Sequence, residues 1–173
     1  MVKQINKRFS PPLSQIARPC IPNSHKLIES VTSTNIWPED LVQHIQDLKD
    51  TAESMKHRCA GLASNQIWDD KTTTPYRVFV AKIMHIETKE VIWMEFINPE
   101  IKMSGAKIKH EEGCLSRDHY KRKVRRHMNV SITWQTLNSE EIHTNKFYGN
   151  ATTLAFVCSH EVDHLNGVTI WTK

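Results

Sequence analysis

Between Pro38 and Cys59 the apolar residues Leu41, Ile45, Leu48, Ala52, Met55 and Cys59 recur at steps of four and three. That spacing lines one stripe of an α-helix. Pro38 suits the first turn, Glu39 and Asp40 complement the positive end of the helix dipole, and Lys56, His57 and Arg58 complement the other end. The helix is expected to stop at "CAGLASNQ" (59–66), where Gly61 permits backbone shapes that other residues resist. The pattern then turns β-rich over 76–83, 91–97, 124–136 and 141–148, with Asn138-Ser139 as the turn between the last two. Helical character returns over 151–166, with Asn150 as N-cap and Gly167 as the stop. Residues 1–36, punctuated by Pro11, Pro12, Pro19 and Pro22, read as an irregular arm. No internal repeat is present. The order is arm, helix, strands, helix, which predicts an α+β domain over 1–173. Its mixed or antiparallel strands surround a central C-terminal helix, with one further N-terminal helix.

Composition changes this picture little. A chain of 173 residues can bury a core without disulfides. A formal charge of +4 falls short of the density that announces a nucleic-acid binder, so no specific nucleic acid is expected. Cys20, Cys59, Cys114 and Cys158 show no C-x-x-C spacing and read as reduced thiols in a cytoplasmic compartment. No apolar run reaches the length of a membrane span and no signal-peptide core is present. The first 28 residues carry Lys3, Lys7, Arg8, Arg18 and Lys26 with no acid, a transit-like composition. The prolines favour an extended arm instead.

The candidate chemistry lies at 160–164, "HEVDH". In a helix, His160 and His164 share a face and can grip one cation, while Glu161 reaches a bound water. The bland alternative is a solvated polar face. A catalytic site usually takes three protein ligands, and only nine residues follow His164. In a metzincin pattern the third His would fall at Ile170, which cannot bind. The third ligand is therefore expected upstream, among Cys20, Cys59, Cys114, Cys158 or another His. Cys158 points around the helix, away from His160. Cys114, beside a glycine in "EEGCLS", is favoured, against the reading of a buried core thiol.

The ordered motifs "GLASNQ" (61–66), "EGCLS" (112–116) and "HEVDH" (160–164) resemble those of the peptide deformylase family. "PPLSQIARPC" is similar to its opening segment, "VRR" at 124–126 falls where it carries V-x-R, and "HLNG" continues its last motif. The resemblance covers nearly the whole chain and implies that nothing long is removed from the N-terminus. It implies that Cys114, His160 and His164 hold the metal, with water in the fourth place. Glu161 would take that water's proton and pass it to the leaving amine. The Gln66 amide and the Leu115 backbone N–H would join the metal in stabilising the oxyanion. The implied reaction removes the N-formyl group from the N-terminal methionine of nascent polypeptides and releases formate. Phe156, four residues before His160, is a candidate pocket wall, and the backbone at Gly61 and Gly113 a candidate dock for an extended peptide. The resemblance favours Fe2+ as the native metal; Zn2+, Ni2+ or Co2+ suits the same donors.

The chain departs from that family at Cys59, Ser64, Asn65, Ser159 and Arg117-Asp118. If the Cys59 position needs positive φ, the cysteine is strained there. The chain also ends without the C-terminal helix that many bacterial members use to dock on the ribosome, a short form resembling those of bacteriophages. A monomer with at most weak ribosome contact is expected. The basic run "YKRKVRRH" (120–127) is a candidate contact for ribosomal RNA or polypeptide carboxylates but reads mainly as a solvated edge strand, with Arg126 as an alternative structural partner of Glu112. The competing functions are a zincin-like metallopeptidase and a non-catalytic, metal-stabilised module.

Overall fold

The computed structural model describes residues 1–6, 15–21, 36–70, 73–85 and 87–173. Much of the arm expected over 1–36, including Pro11, Pro12 and Pro22, lies outside the described residues.

Helix α1 spans Glu39–Ser54 and buries Leu41, Ile45, Leu48 and Ala52 completely. It ends one turn earlier than the periodicity suggested. Met55 is its C-cap, and Lys56, His57 and Arg58 lie past the last turn in a short coil where Cys59 N–H donates to the Met55 carbonyl. Pro38 is the N-cap, and its carbonyl accepts the first helical bond, from Val42.

The described strands are β1 (Gly61–Ala63), β2 (Val78–Met84), β3 (Val91–Cys114), β4 (Arg117–Thr136) and β5 (Ser139–Tyr148), and every neighbouring pair is antiparallel. A 3-10 turn, Ser64–Gln66, follows β1. Helix α2, Leu154–Leu165, closes the order. Strand β2 shows why the sheet needs both helices. Val78 and Val80 join the cluster with Leu41, Ile45 and Leu48 of α1, while Phe79 and Ala81 join Ala155, Cys158, Val162 and Leu165 of α2. Alternate side chains thus reach opposite faces, and each face has a helix upon it.

Several expectations need correction. The strands predicted at 91–97 and 124–136 are only parts of β3 and β4, which continue as a long hairpin to Cys114 and Arg117. Residues 102–109 of β3 are exposed on both faces, so the hydrophobic alternation that reveals a strand is missing there. The basic run is not uniformly solvated: Lys121, Lys123 and Arg125 are exposed, but Val124 and Arg126 point inward and are buried. The turn between β4 and β5 is at Leu137-Asn138, with Ser139 already paired to Thr136.

Helix α2 starts at Thr153, its N-cap, and not at Asn150. It ends in a Schellman motif: Gly167, at φ 70°, donates to the His164 carbonyl at 2.9 Å, and Val168 donates to the Asp163 carbonyl at 2.8 Å.

Candidate metal centre

The last residues of β3 and one face of α2 build the site. Alternation along β3 turns Glu112 and Cys114 inward and leaves Gly113 exposed between them. The helical step of four sets His160 and His164 one above the other, with Glu161 beside them. Cys114 Sγ lies 3.3 Å from His164 Nε2, and His164 Nε2 lies 3.1 Å from His160 Nε2. One donor atom from each of these residues falls within 4.8 Å of the others. A four-coordinate cation with bonds of roughly 2.0–2.3 Å can bridge such donors. One thiol and two imidazoles also match what zinc, iron, nickel and cobalt accept. The residues present therefore fit the implied metal.

His160 is oriented from behind. Its Nδ1 is 2.9 Å from Glu112 Oε2, which leaves Nε2 facing the cluster. Glu112 in turn accepts from Arg126 Nε at 2.6 Å and from an Arg126 terminal nitrogen at 2.7 Å. Arg126 also contacts Asp163, whose carboxylate pairs with Lys173 Nζ at 2.6 Å. Burial would raise the Glu112 carboxyl, but the hydrogen bonds from Arg126 and His160 outweigh it and hold the group at about 2. Burial would likewise lower His160, yet its bonds to Cys114 and Glu112 prevail and raise it to about 10. His164 goes the other way: burial, and then the charge on His160, push it well below its usual range.

Glu161 is 3% exposed, and its Oε2 has no hydrogen-bond partner among the described residues. Burial pushes its carboxyl up to about 7. A carboxyl titrating near neutrality suits proton transfer in both directions. Gly61 of β1 makes room for it, since a Cβ there would meet Glu161 Oε1 at 2.8 Å and Val157 Cγ1 at 2.8 Å. The glycine is needed for close approach; positive φ is found elsewhere, at Gly105 and Gly167. Gln66 is pinned by its own side-chain oxygen, which accepts from the Ala63 N–H at 2.9 Å. Its amide NH2 then points to Ser116 Oγ at 3.4 Å and Cys114 Sγ at 3.8 Å.

These groups face a cavity of about 670 Å³. Gly61, Gln66, Gly113, Cys114, Leu115, Phe156, His160 and Glu161 all line it, so the predicted site residues other than His164 share its wall, and His164 meets it through Cys114 and His160. Phe156 stacks on His110 with centroids 4.1 Å apart. A Cβ on Gly149 would fall 2.4 Å from the Phe156 ring, so that glycine lets the ring sit where it does.

A family model for polypeptide deformylase matches residues 13–173. The chain belongs to the polypeptide deformylase family. A peptide deformylase from Aquifex aeolicus is 34% identical over 125 residues, covering 72% of this chain and 68% of that relative. One from Wolinella succinogenes is 28% identical over 155 residues, covering 87% and 84%. Among solved structures, a class I type b peptide deformylase from Acinetobacter baumannii with Met-Ala-Ser bound has a TM-score of 0.72 at 25% identity, covering 99% of this chain and 97% of that one. The Thermotoga maritima peptide deformylase has a TM-score of 0.72 at 26% identity, covering 100% and 97%.

Within this deformylase frame the unusual positions have local partners. Cys59 is not in the positive-φ region, and its thiol donates to the Gly61 carbonyl at 3.3 Å, so the expected strain is absent. Ser64 Oγ is 2.8 Å from His44 Nε2 on α1. The Asn65 side-chain amide donates to the His164 carbonyl at 2.7 Å and to the Gln15 carbonyl at 2.8 Å. Ser159 turns its hydroxyl back to the Ala155 carbonyl at 2.8 Å, and the Arg117 guanidinium lies over the Tyr120 ring at 3.8 Å. Sequence reasoning missed the link from Glu112 to His160, which the i, i+2 spacing of Glu112 and Cys114 on one strand face could have suggested. It also missed Asp163 and His44.

Proposed function

We propose that this chain removes the N-formyl group from the N-terminal methionine of newly made polypeptides, with Cys114, His160 and His164 holding the metal and Glu161 carrying the proton. The observation that supports this most is the three-donor cluster set beside a buried carboxyl, one of whose oxygens has no hydrogen-bond partner among the described residues, at the wall of a substrate-sized cavity. When bound, a divalent cation supplies Lewis acidity, acidifying water and polarising a carbonyl oxygen.

The chain's own residues do the rest. Glu161 accepts a proton from the attacking water as the water oxygen adds to the formyl carbon, and delivers it to the amine nitrogen as the C–N bond breaks, leaving formate and a free methionyl amine. The Gln66 NH2, fixed by Ala63, and the Leu115 N–H donate to the oxygen that gains charge. Gly61 and Gly113 offer backbone to an extended peptide, and Phe156 forms an apolar wall for the methionine side chain. Met-Ala-Ser, bound to the Acinetobacter relative, is the product that formyl-Met-Ala-Ser would give here. Fe2+ is the proposed native metal, with Zn2+, Ni2+ or Co2+ accepted by the same donors. A cytoplasmic monomer of bacteriophage type, with at most weak ribosome contact, completes the proposal.

Formate release from formyl-Met-Ala-Ser by anaerobically prepared, Fe2+-loaded protein, abolished by a chelator, is the test. Cleavage at internal peptide bonds without formate release would favour a metallopeptidase and overturn it.

A further inference from the structure

Residues 1–6 precede the stretch matched by the deformylase family, which begins at residue 13, yet they are seated on the turn that carries Gln66. Lys3 N–H donates to Thr51 Oγ1 at 2.8 Å, Lys3 Nζ reaches Asp69 at 2.8 Å, and Ile5 packs against the core cluster under α1. Asn6 then makes three hydrogen bonds, two to the Ser64–Gln66 turn and one just past it. Its backbone N–H donates to the Gln66 carbonyl at 2.5 Å, and its side-chain amide donates to the Asn65 carbonyl at 2.8 Å and the Trp68 carbonyl at 2.8 Å.

A three-residue 3-10 turn is not self-supporting, and its last carbonyls lack partners within it. Here they converge on one residue. Asparagine supplies two side-chain donors besides its backbone N–H, whereas aspartate of the same shape supplies none. The Gln66 side chain is fixed from within by the Ala63 N–H, and its main chain is fixed from without by Asn6. The direction in which the amide NH2 points toward Cys114 and Ser116 therefore depends on both.

We propose that Asn6 is a positioning residue for the reaction, bracing the turn so that the Gln66 amide donates where negative charge develops. This rests on the role proposed for Gln66. Its experimental signature is dependence on Gln66. Loss of an oxyanion donor costs about 100- to 1000-fold in kcat. Loosening one without removing it should cost about tenfold, with KM moving less than about twofold.

The test is a double-mutant cycle on formate release from formyl-Met-Ala-Ser, with Asn6→Ala and Asn6→Asp each made in the wild-type, Gln66→Ala and Gln66→Met chains. The two Gln66 backgrounds guard against one of them folding poorly, and bound metal per chain and the thermal midpoint are read alongside. The expected result is a loss of about tenfold in kcat from either Asn6 variant in the wild type, and less than about twofold when Gln66 is already replaced. Equal losses on all backgrounds, no loss in the wild type, or a loss accounted for by unfolded protein would each overturn the brace while leaving deformylation standing. No formate from the wild type would instead overturn the reaction, and this inference with it.

Discussion

Replacing Arg126 by methionine should destabilise the fold by about 3–5 kcal/mol, because it strands a carboxylate that water cannot reach. The side chain of Arg126 is 1% exposed and that of Glu112 6%. Two charge-assisted hydrogen bonds to Glu112, at 2.6 and 2.7 Å, would vanish together with the contact to Asp163. The two carboxylates would not suffer equally. Asp163 is 14% exposed and keeps Lys173, whereas Glu112 keeps only His160 among the described residues, so most of the cost arises at Glu112. For a chain of this size that corresponds to a fall of about 10 °C in Tm. Urea unfolding of the metal-free protein, read by tryptophan fluorescence, measures it directly. Adding Glu112→Gln should recover more than half, because the amide removes the stranded charge while its carbonyl still accepts from His160 Nδ1. A loss below about 1 kcal/mol for the single variant, or no recovery in the double, would show that burial and pairing at Glu112 do not set the cost.

Gly61→Ala would place a methyl 2.8 Å from Glu161 Oε1 and from Val157 Cγ1, so a loss of about 1–3 kcal/mol with a disproportionate fall in kcat is expected, measured by paired unfolding and formate assays. At Glu95, burial would raise the carboxyl, but the hydrogen bond from Lys49 Nζ at 2.6 Å and one from the Leu137 N–H hold it below its usual 4.5. Its contribution to stability is therefore complete above 4.5 and lost as pH falls through the lower folded value, and a Glu95→Gln chain should show a shallower acid limb in urea titrations across that window. Cys114→Ser should weaken metal binding by more than tenfold in competition with a chromogenic chelator, since a hydroxyl is a far poorer ligand for these cations than a thiolate; unchanged affinity would exclude Cys114 as a ligand.

The sequence revealed most where a pattern is local. The α1 stripe from Leu41 to Ala52, the Gly167 stop and the i, i+4 histidines are each decided by a few neighbouring residues, and the structure carries all three. What escaped depends on partners distant in the chain. Strand β1 is three residues long and is defined by pairing with Phe79, Val80 and Ala81, so no periodicity could announce it. Residues 102–109 of β3 are held to β4 by backbone bonds while exposed on both faces, which leaves no apolar signature there. Arg126 belongs to a basic run whose composition suggests solvent, and only the strand alternation that buries every second residue separates it from Arg125. Cys114 was favoured as a ligand before any geometry because a glycine precedes it. Its neighbour at i−2, Glu112, was read only as a structural partner of Arg126. In the structure it supports His160 as well, and Asn6, sixty residues from the turn it braces, had no local signature.

Glu161 is proposed to move a proton at a centre held by Cys114, His160 and His164. This role is tested most directly by single-turnover formate release from formyl-Met-Ala-Ser, with Fe2+-loaded wild type beside Glu161→Ala at equal metal content. The expected result is metal-dependent release by the wild type and a fall of at least about 100-fold in the variant, which should keep its cation. A variant that retains both its metal and its full rate would contradict it.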